Sequence, residues 1–158
     1  MKIDQGETTI LSLKKINIDE LKMEIAISEI LRTIEHCDFH FLPIISHNLY
    51  NPTNTIILDR RKTPPHIMIE KPLRNLVQVP ITDTATVTTD IIDYLKTTAE
   101  LLLEHQIYTP LTPETIRYDM TNKIPIVVDF RKAIMITKWQ NIETFRKAYA
   151  ESLASLAT

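Results

Sequence analysis

His36, Cys37, His40 and His47 crowd into one short stretch of the chain, and imidazole and thiolate are side chains that hold zinc. A structural zinc site asks for four ligands in a tetrahedron, and the spacing H-C-x-x-H matches no common finger. The stretch reads instead as a helix end and a turn, with His36 set against the negative end of the helix dipole. No metal is expected there. A phosphate cradle made of backbone N–H groups is excluded on other grounds. Gly6 is the one glycine among 158 residues, and a Walker loop or dinucleotide fingerprint needs the close approach and positive φ that glycine supplies.

The composition narrows the class further. Hydrophobic residues make up 44% and charged residues 24%, the balance of an ordinary globular protein, with length enough for one domain or two small lobes. A formal charge of -2 leaves no basic surplus to meet nucleic-acid phosphates. Cys37 is the only cysteine, so no disulfide forms within the chain, which favours a reducing compartment. Residues 1–9 lack the apolar centre of a signal peptide, and no apolar run approaches the length of a membrane span. The expected location is cytoplasmic or nuclear, with neither nucleic acid nor membrane as partner.

The elements that must position any site follow from periodicity. TTILSLKKINI, residues 8–18, is β-branched and partly alternating, and predicts a strand. Asp19 suits an N-cap, and Ile27, Ile30, Leu31 and Ile34 recur at helical spacing to about His36. LPIISHNLY, NTIILDR and HIMIEK predict two or three antiparallel strands, separated by the turn formers NPT and KTPP. PITDTATVTT has little to pack and is expected to cross between two halves of the molecule. Asp90 is the expected cap of a second helix, whose stripe of Ile92, Leu95, Ala99, Leu102 and Leu103 ends near Gln106. TIRY and IPIVVDF should pair as a hairpin around DMTNK. A last amphipathic helix starts at Asn141 and carries Phe145, Ala148, Tyr149, Leu153 and Leu156 on one side.

This order of elements resembles the middle of a protein kinase, and one segment carries the likeness in detail. LLLEHQIYTPLTPETIRYDMTNKIPIVVDF is similar to the kinase run of a helix end, H-R-D-L-K-P-E-N, a short hairpin and D-F-G. Leu111, Pro113, Glu114, Asp129 and Phe130 coincide with that pattern at matching separation. Upstream, LSLKKINID looks like the third kinase strand, with Lys14 in the place of the lysine that touches the nucleotide phosphates. The helix from Asp19 would then be the kinase C-helix, and its ion-pairing position falls on Glu24 or on Ile27. HIMIEKPLRNL resembles the fifth strand and hinge. The resemblance spans roughly residues 10–136 and implies an α+β, minimal two-lobed protein kinase-like fold. Residues 1–80 would form the N-lobe-like half, with a small antiparallel sheet and the C-helix. Residues 81–89 are the connector, and 90–158 form a shortened helical C-lobe with its hairpin.

The departures from the family pattern decide the implied function. Tyr108, Thr109 and Pro110 fall on H-R-D, so Pro110 replaces the catalytic aspartate and cannot accept the proton of a substrate hydroxyl. Thr112 and Thr115 replace the loop lysine and the metal-binding asparagine. Asp129-Phe130-Arg131 keeps one carboxylate for Mg²⁺ and exchanges the flexible glycine for a bulky cation. One strand precedes Lys14, with no glycine-rich hairpin, and no A-P-E motif follows Arg131. The resemblance therefore implies a pseudokinase that is not an enzyme. It would act as an interaction, scaffold or regulatory subunit in a larger assembly or by self-association, with Trp139, Phe145 and Tyr149 as a candidate interface.

Two further functions stay open at this level. The first is a nucleotide sensor without turnover, which would use Lys14, Glu24 and Asp129 to hold ATP with Mg²⁺, although no cofactor is the leading expectation. The second is a small α+β module unrelated to kinases. Tyr108, Glu114 and Arg131 are expected to lie together and to close a dead cleft by hydrogen bonding.

Overall fold

A computed structural model describes residues 6–12, 17–49, 66–81 and 87–157. The described chain is an α+β fold with three α-helices and three small antiparallel sheets. Strand β1 (Gly6–Ser12) pairs along its length with β3 (His66–Pro72), and β2 (Ser46–His47) lies on the other edge of β3. Helix α1 (Ile18–Leu31) covers this sheet. After it come a 3₁₀ turn at Cys37–Phe39 and an extended segment that reaches β2.

A second sheet joins β4 (Leu76–Val77), β6 (Ile116–Asp119) and β7 (Ile124–Val127) in the order β4-β6-β7. The β6–β7 pair is the hairpin expected around DMTNK, with Arg117 opposite Ile126 and Tyr118 opposite Pro125. Phe41 bridges to Val127 in parallel, which ties the segment after α1 to the free edge of β7. Helix α2 (Thr89–Glu104) runs into the two-residue strand β5 (Ile107–Tyr108), which pairs with β8 (Ile134–Met135). Helix α3 (Ile142–Leu156) packs against α2, where the Arg146 guanidinium spans both carboxylate oxygens of Glu100 at 2.9 and 3.1 Å.

Several boundaries differ from those the periodicity predicts. Asn17, not Asp19, caps α1, because its carboxamide oxygen accepts the N–H groups of Asp19 and Glu20 at 3.0 and 3.2 Å. The helix stops at Leu31, five residues short of His36. The Thr33 hydroxyl and N–H both turn back to the Ile30 carbonyl, and His36 takes the left-handed conformation at φ 60°. Thr88 precedes the first turn of α2, so Asp90 lies inside that turn rather than capping it, and the helix ends at Glu104. The first strand starts earlier than expected. Lys14, the NTIILDR run and residues 82–86 of the connector lie outside the described residues. The connector's described ends, Ile81 and Val87, bridge to each other.

Two apolar clusters form among the described residues, and α1 belongs to both. Leu21 and Ile25 join Ile44, Ile67 and Ile69 against the first sheet. Ile27 and Leu31 join the larger cluster with Phe41, Leu95, Leu102, Phe130 and Tyr149. Along α1 the positions Glu20, Glu24, Ser28 and Arg32 recur every fourth residue and form a polar line between these two groups. Each bonds a group outside the helix. Glu20 meets Lys132, the Ser28 hydroxyl accepts the Ile44 N–H at 2.9 Å, and Arg32 donates to the carbonyls of Ile44 and Ile45.

Candidate functional site

The second member of that polar line begins the site. Glu24 is 2% exposed, and a buried carboxylate needs partners for its charge. It has two on one oxygen, Oε2, which lies 3.0 Å from Lys71 Nζ and accepts the Phe130 N–H at 3.0 Å. Lys71 also donates to the Val128 carbonyl at 2.7 Å. One ion pair thereby links α1, β3 and the chain leaving β7.

Asp129 lies between those two anchored backbone groups. Its Oδ1 accepts the Arg131 N–H at 2.9 Å, and its Oδ2 takes the Arg131 guanidinium at 2.8 Å from Nη2. Nε of Arg131 spans both oxygens at 3.2 and 3.3 Å. Burial pushes the Asp129 carboxyl up, but the Arg131 side chain and N–H outweigh it and hold the group below the ordinary carboxylate range. The same contact raises the Arg131 guanidinium above its usual value.

These side chains line an open cleft of about 650 Å³. Four basic residues, Lys71, Arg117, Arg131 and Lys132, face four acidic ones, Glu20, Glu24, Glu114 and Asp129. Most are already engaged: Glu24 with Lys71, Asp129 with Arg131, and Glu20 with Lys132. Arg117 folds over the neighbouring loop and donates to the carbonyls of Pro113 and Ile116, each at 2.9 Å. The loop from Pro110 to Thr115 is closed on itself as well. The Thr115 hydroxyl donates to the Pro110 carbonyl at 2.8 Å and accepts the Thr112 N–H at 3.0 Å.

Glu24 and Asp129 thus meet in one cleft, while Lys14 falls outside the described residues. Of the two positions open for an ion-pairing residue on α1, Glu24 makes the pair and Ile27 is fully buried in the apolar core. The cation that the sequence reasoning missed is Lys71. Its signal lay in the alternation Ile67, Ile69, Lys71, which sets a lysine on the inward face of a strand.

Other expected groupings do not form. Glu114 and Arg131 line the cleft, but Tyr108 stacks obliquely on Phe145 and Tyr149 instead, with centroids 5.5 and 4.8 Å away. Tyr149 is buried, and its hydroxyl donates to the Ile107 carbonyl at 3.0 Å and accepts the Thr109 N–H at 2.9 Å. It therefore presents no face to a partner, and Phe145 is packed beside it. Trp139 alone of that trio points outward, at 86% exposure. His40 stacks on Tyr94 and bonds the Thr98 hydroxyl at 2.8 Å, and burial raises the Cys37 thiol to about 11. Among the described residues no cluster of three His, Cys, Asp or Glu side chains is disposed to hold a metal, and no helix is long and apolar enough to cross a membrane.

No protein-family model matches the chain, and no curated protein matches it.

Proposed function

We propose that this chain is a catalytically inactive, kinase-like module that binds a nucleotide without turning it over, a sensor rather than a transferase. The observation that carries the reading is Lys71, held between the buried Glu24 carboxylate and the Val128 carbonyl on the wall of a 650 Å³ cleft, beside Asp129. The cleft is large enough for a small organic ligand. The resemblance gives this role to Lys14, which lies outside the described residues, and Lys71 on β3 is the lysine that lines the described cleft. Pro110 stands where the resemblance places the proton acceptor, and the Thr115 hydroxyl is committed to its own loop. These features support binding and argue against phosphoryl transfer.

The test is thermal. A ligand that binds the folded state at about 100 times its Kd adds roughly 2.7 kcal/mol, which for a chain of this size is a rise of about 5–10 °C in Tm. ATP or ADP should produce a saturable rise that Lys71→Met reduces, with no γ-phosphate released in the same sample. No shift at millimolar nucleotide sinks the proposal.

A second reading, a scaffold or regulatory subunit that docks a protein or a second copy, draws on Trp139 at 86% exposure together with Ile134 at 39% and Met135 at 38%. An α+β structural module unrelated to kinases expects neither nucleotide stabilisation nor association.

A further inference from the structure

The kinase resemblance implies Mg²⁺ alongside any nucleotide, and the side chains here do not fit that ion. Mg²⁺ is held by near-octahedral oxygen, with one or two protein carboxylates completing a shell of water and phosphate. The one carboxylate the resemblance assigns to it is Asp129, and both of its oxygens face the guanidinium of Arg131. The position assigned to the second ligand is Thr115, whose hydroxyl bonds Pro110 and Thr112 within its own loop. Glu24 Oε2 is shared by Lys71 and the Phe130 N–H.

The cation at Asp129 is also tethered. Arg131 lies two residues along the chain and its N–H bonds the same carboxylate, so the guanidinium is present at an effective concentration on the order of millimolar or more. A free divalent ion must displace it.

We propose that the cleft binds a phosphate-bearing ligand without a divalent cation, with Arg131 and Lys71 supplying the positive charge that a metal supplies elsewhere. Arg131 uses Nε and Nη2 on Asp129, and its side chain is 60% exposed, which leaves further N–H donors at the mouth of the cleft. Guanidinium groups bind phosphate oxygens by paired, charge-assisted hydrogen bonds, and that geometry needs no bridging ion. Lys71 adds a point charge deeper in the same wall.

The inference rests on the nucleotide-binding reading, and melting curves separate the two. The full chain is heated with ATP in excess EDTA, with ATP in excess Mg²⁺, and with tripolyphosphate in EDTA. The expected result is a saturable stabilisation in EDTA at least equal to that in Mg²⁺. Tripolyphosphate reproduces it if phosphate alone is recognised, and falls short if the base contributes.

Arg131→Gly should weaken metal-free binding by about tenfold or more, while Arg131→Lys keeps part of it. Stabilisation seen only with Mg²⁺ overturns the cation-free proposal and leaves nucleotide binding standing. No stabilisation in any condition overturns both. Unchanged metal-free binding in Arg131→Gly, with native circular dichroism, removes Arg131 from the account.

Discussion

Glu24 is the residue on which the interior electrostatics turn. Removing one partner of a buried ion pair leaves the other charge without compensation, at about 3–5 kcal/mol where both are buried. Lys71 keeps 20% side-chain exposure and a second acceptor in Val128, so Glu24→Ala should cost about 3 kcal/mol, or a fall of about 6–12 °C in Tm. Lys71→Met made in that background should recover part of the loss, which a double-mutant cycle by chemical denaturation would read directly.

Asp119 makes a different residue-scale prediction. It is 1% exposed and accepts Arg74 Nε at 3.1 Å and the Thr121 N–H at 2.8 Å. Burial pushes its carboxyl up, but Arg74 and the turn N–H groups prevail and hold it below the ordinary range. Its stabilising contribution is therefore complete above the unfolded aspartate value of about 3.9 and is lost as pH falls through the lower folded value. Asp119→Asn should be less stable at pH 7 by about 3 kcal/mol and should show a shallower loss of stability below about pH 4. Identical acid limbs in the two proteins would remove Asp119 from the acid response. Glu24 and Asp129 entered the sequence reading through the kinase resemblance, which left Glu24 and Ile27 both open for the position on α1. Lys71 did not, since a strand's inward side becomes a partner only after the helix has been laid across it.

At the scale of elements, the hairpin and the last helix were the most legible parts. TIRY, DMTNK and IPIV carry alternation and a turn within a few residues, and Asn141 caps α3 by accepting the Glu143 N–H at 2.9 Å. The helix ends were less legible, because Asn17 and Asp19 are both good cap residues two positions apart and Thr33 tightens the chain after α1. The contact that fixes α3 was also hidden. Tyr149 reads as an apolar-face residue, yet its hydroxyl is the hydrogen-bond link between α3 and the start of the loop after β5. Tyr149→Phe keeps the ring and deletes only that link, leaving the Thr109 N–H and the Ile107 carbonyl without it. The expected loss is about 1–3 kcal/mol by denaturant midpoint, with an unchanged slope. A loss below the error of the measurement would mean that water replaces the hydroxyl.

Across the whole molecule, the α+β class was legible from patterns of period two and period 3.6, but the division into three sheets was not, since two-residue strands such as β5 and β8 have no periodicity to read. Trp139 belongs to the proposed docking reading rather than to the core. At 86% exposure it contributes little to the core, so Trp139→Ser should shift Tm by less than about 2 °C. If this face joins copies of the chain, the substitution should lower the association seen by analytical ultracentrifugation. Equal sedimentation of the two proteins across a concentration series would rule that face out. The line of Glu20, Glu24, Ser28 and Arg32 along α1 has a consequence at this scale. Close packing of apolar side chains already resists sliding, and directional bonds at four points narrow the settings in which this helix fits its neighbours. A slip by a single turn would still set one glutamate against the other's lysine but would carry Ser28 and Arg32 off the Ile44 groups they bond, so α1 works as a key cut for one lock, and the two apolar clusters it touches inherit a fixed spacing from it.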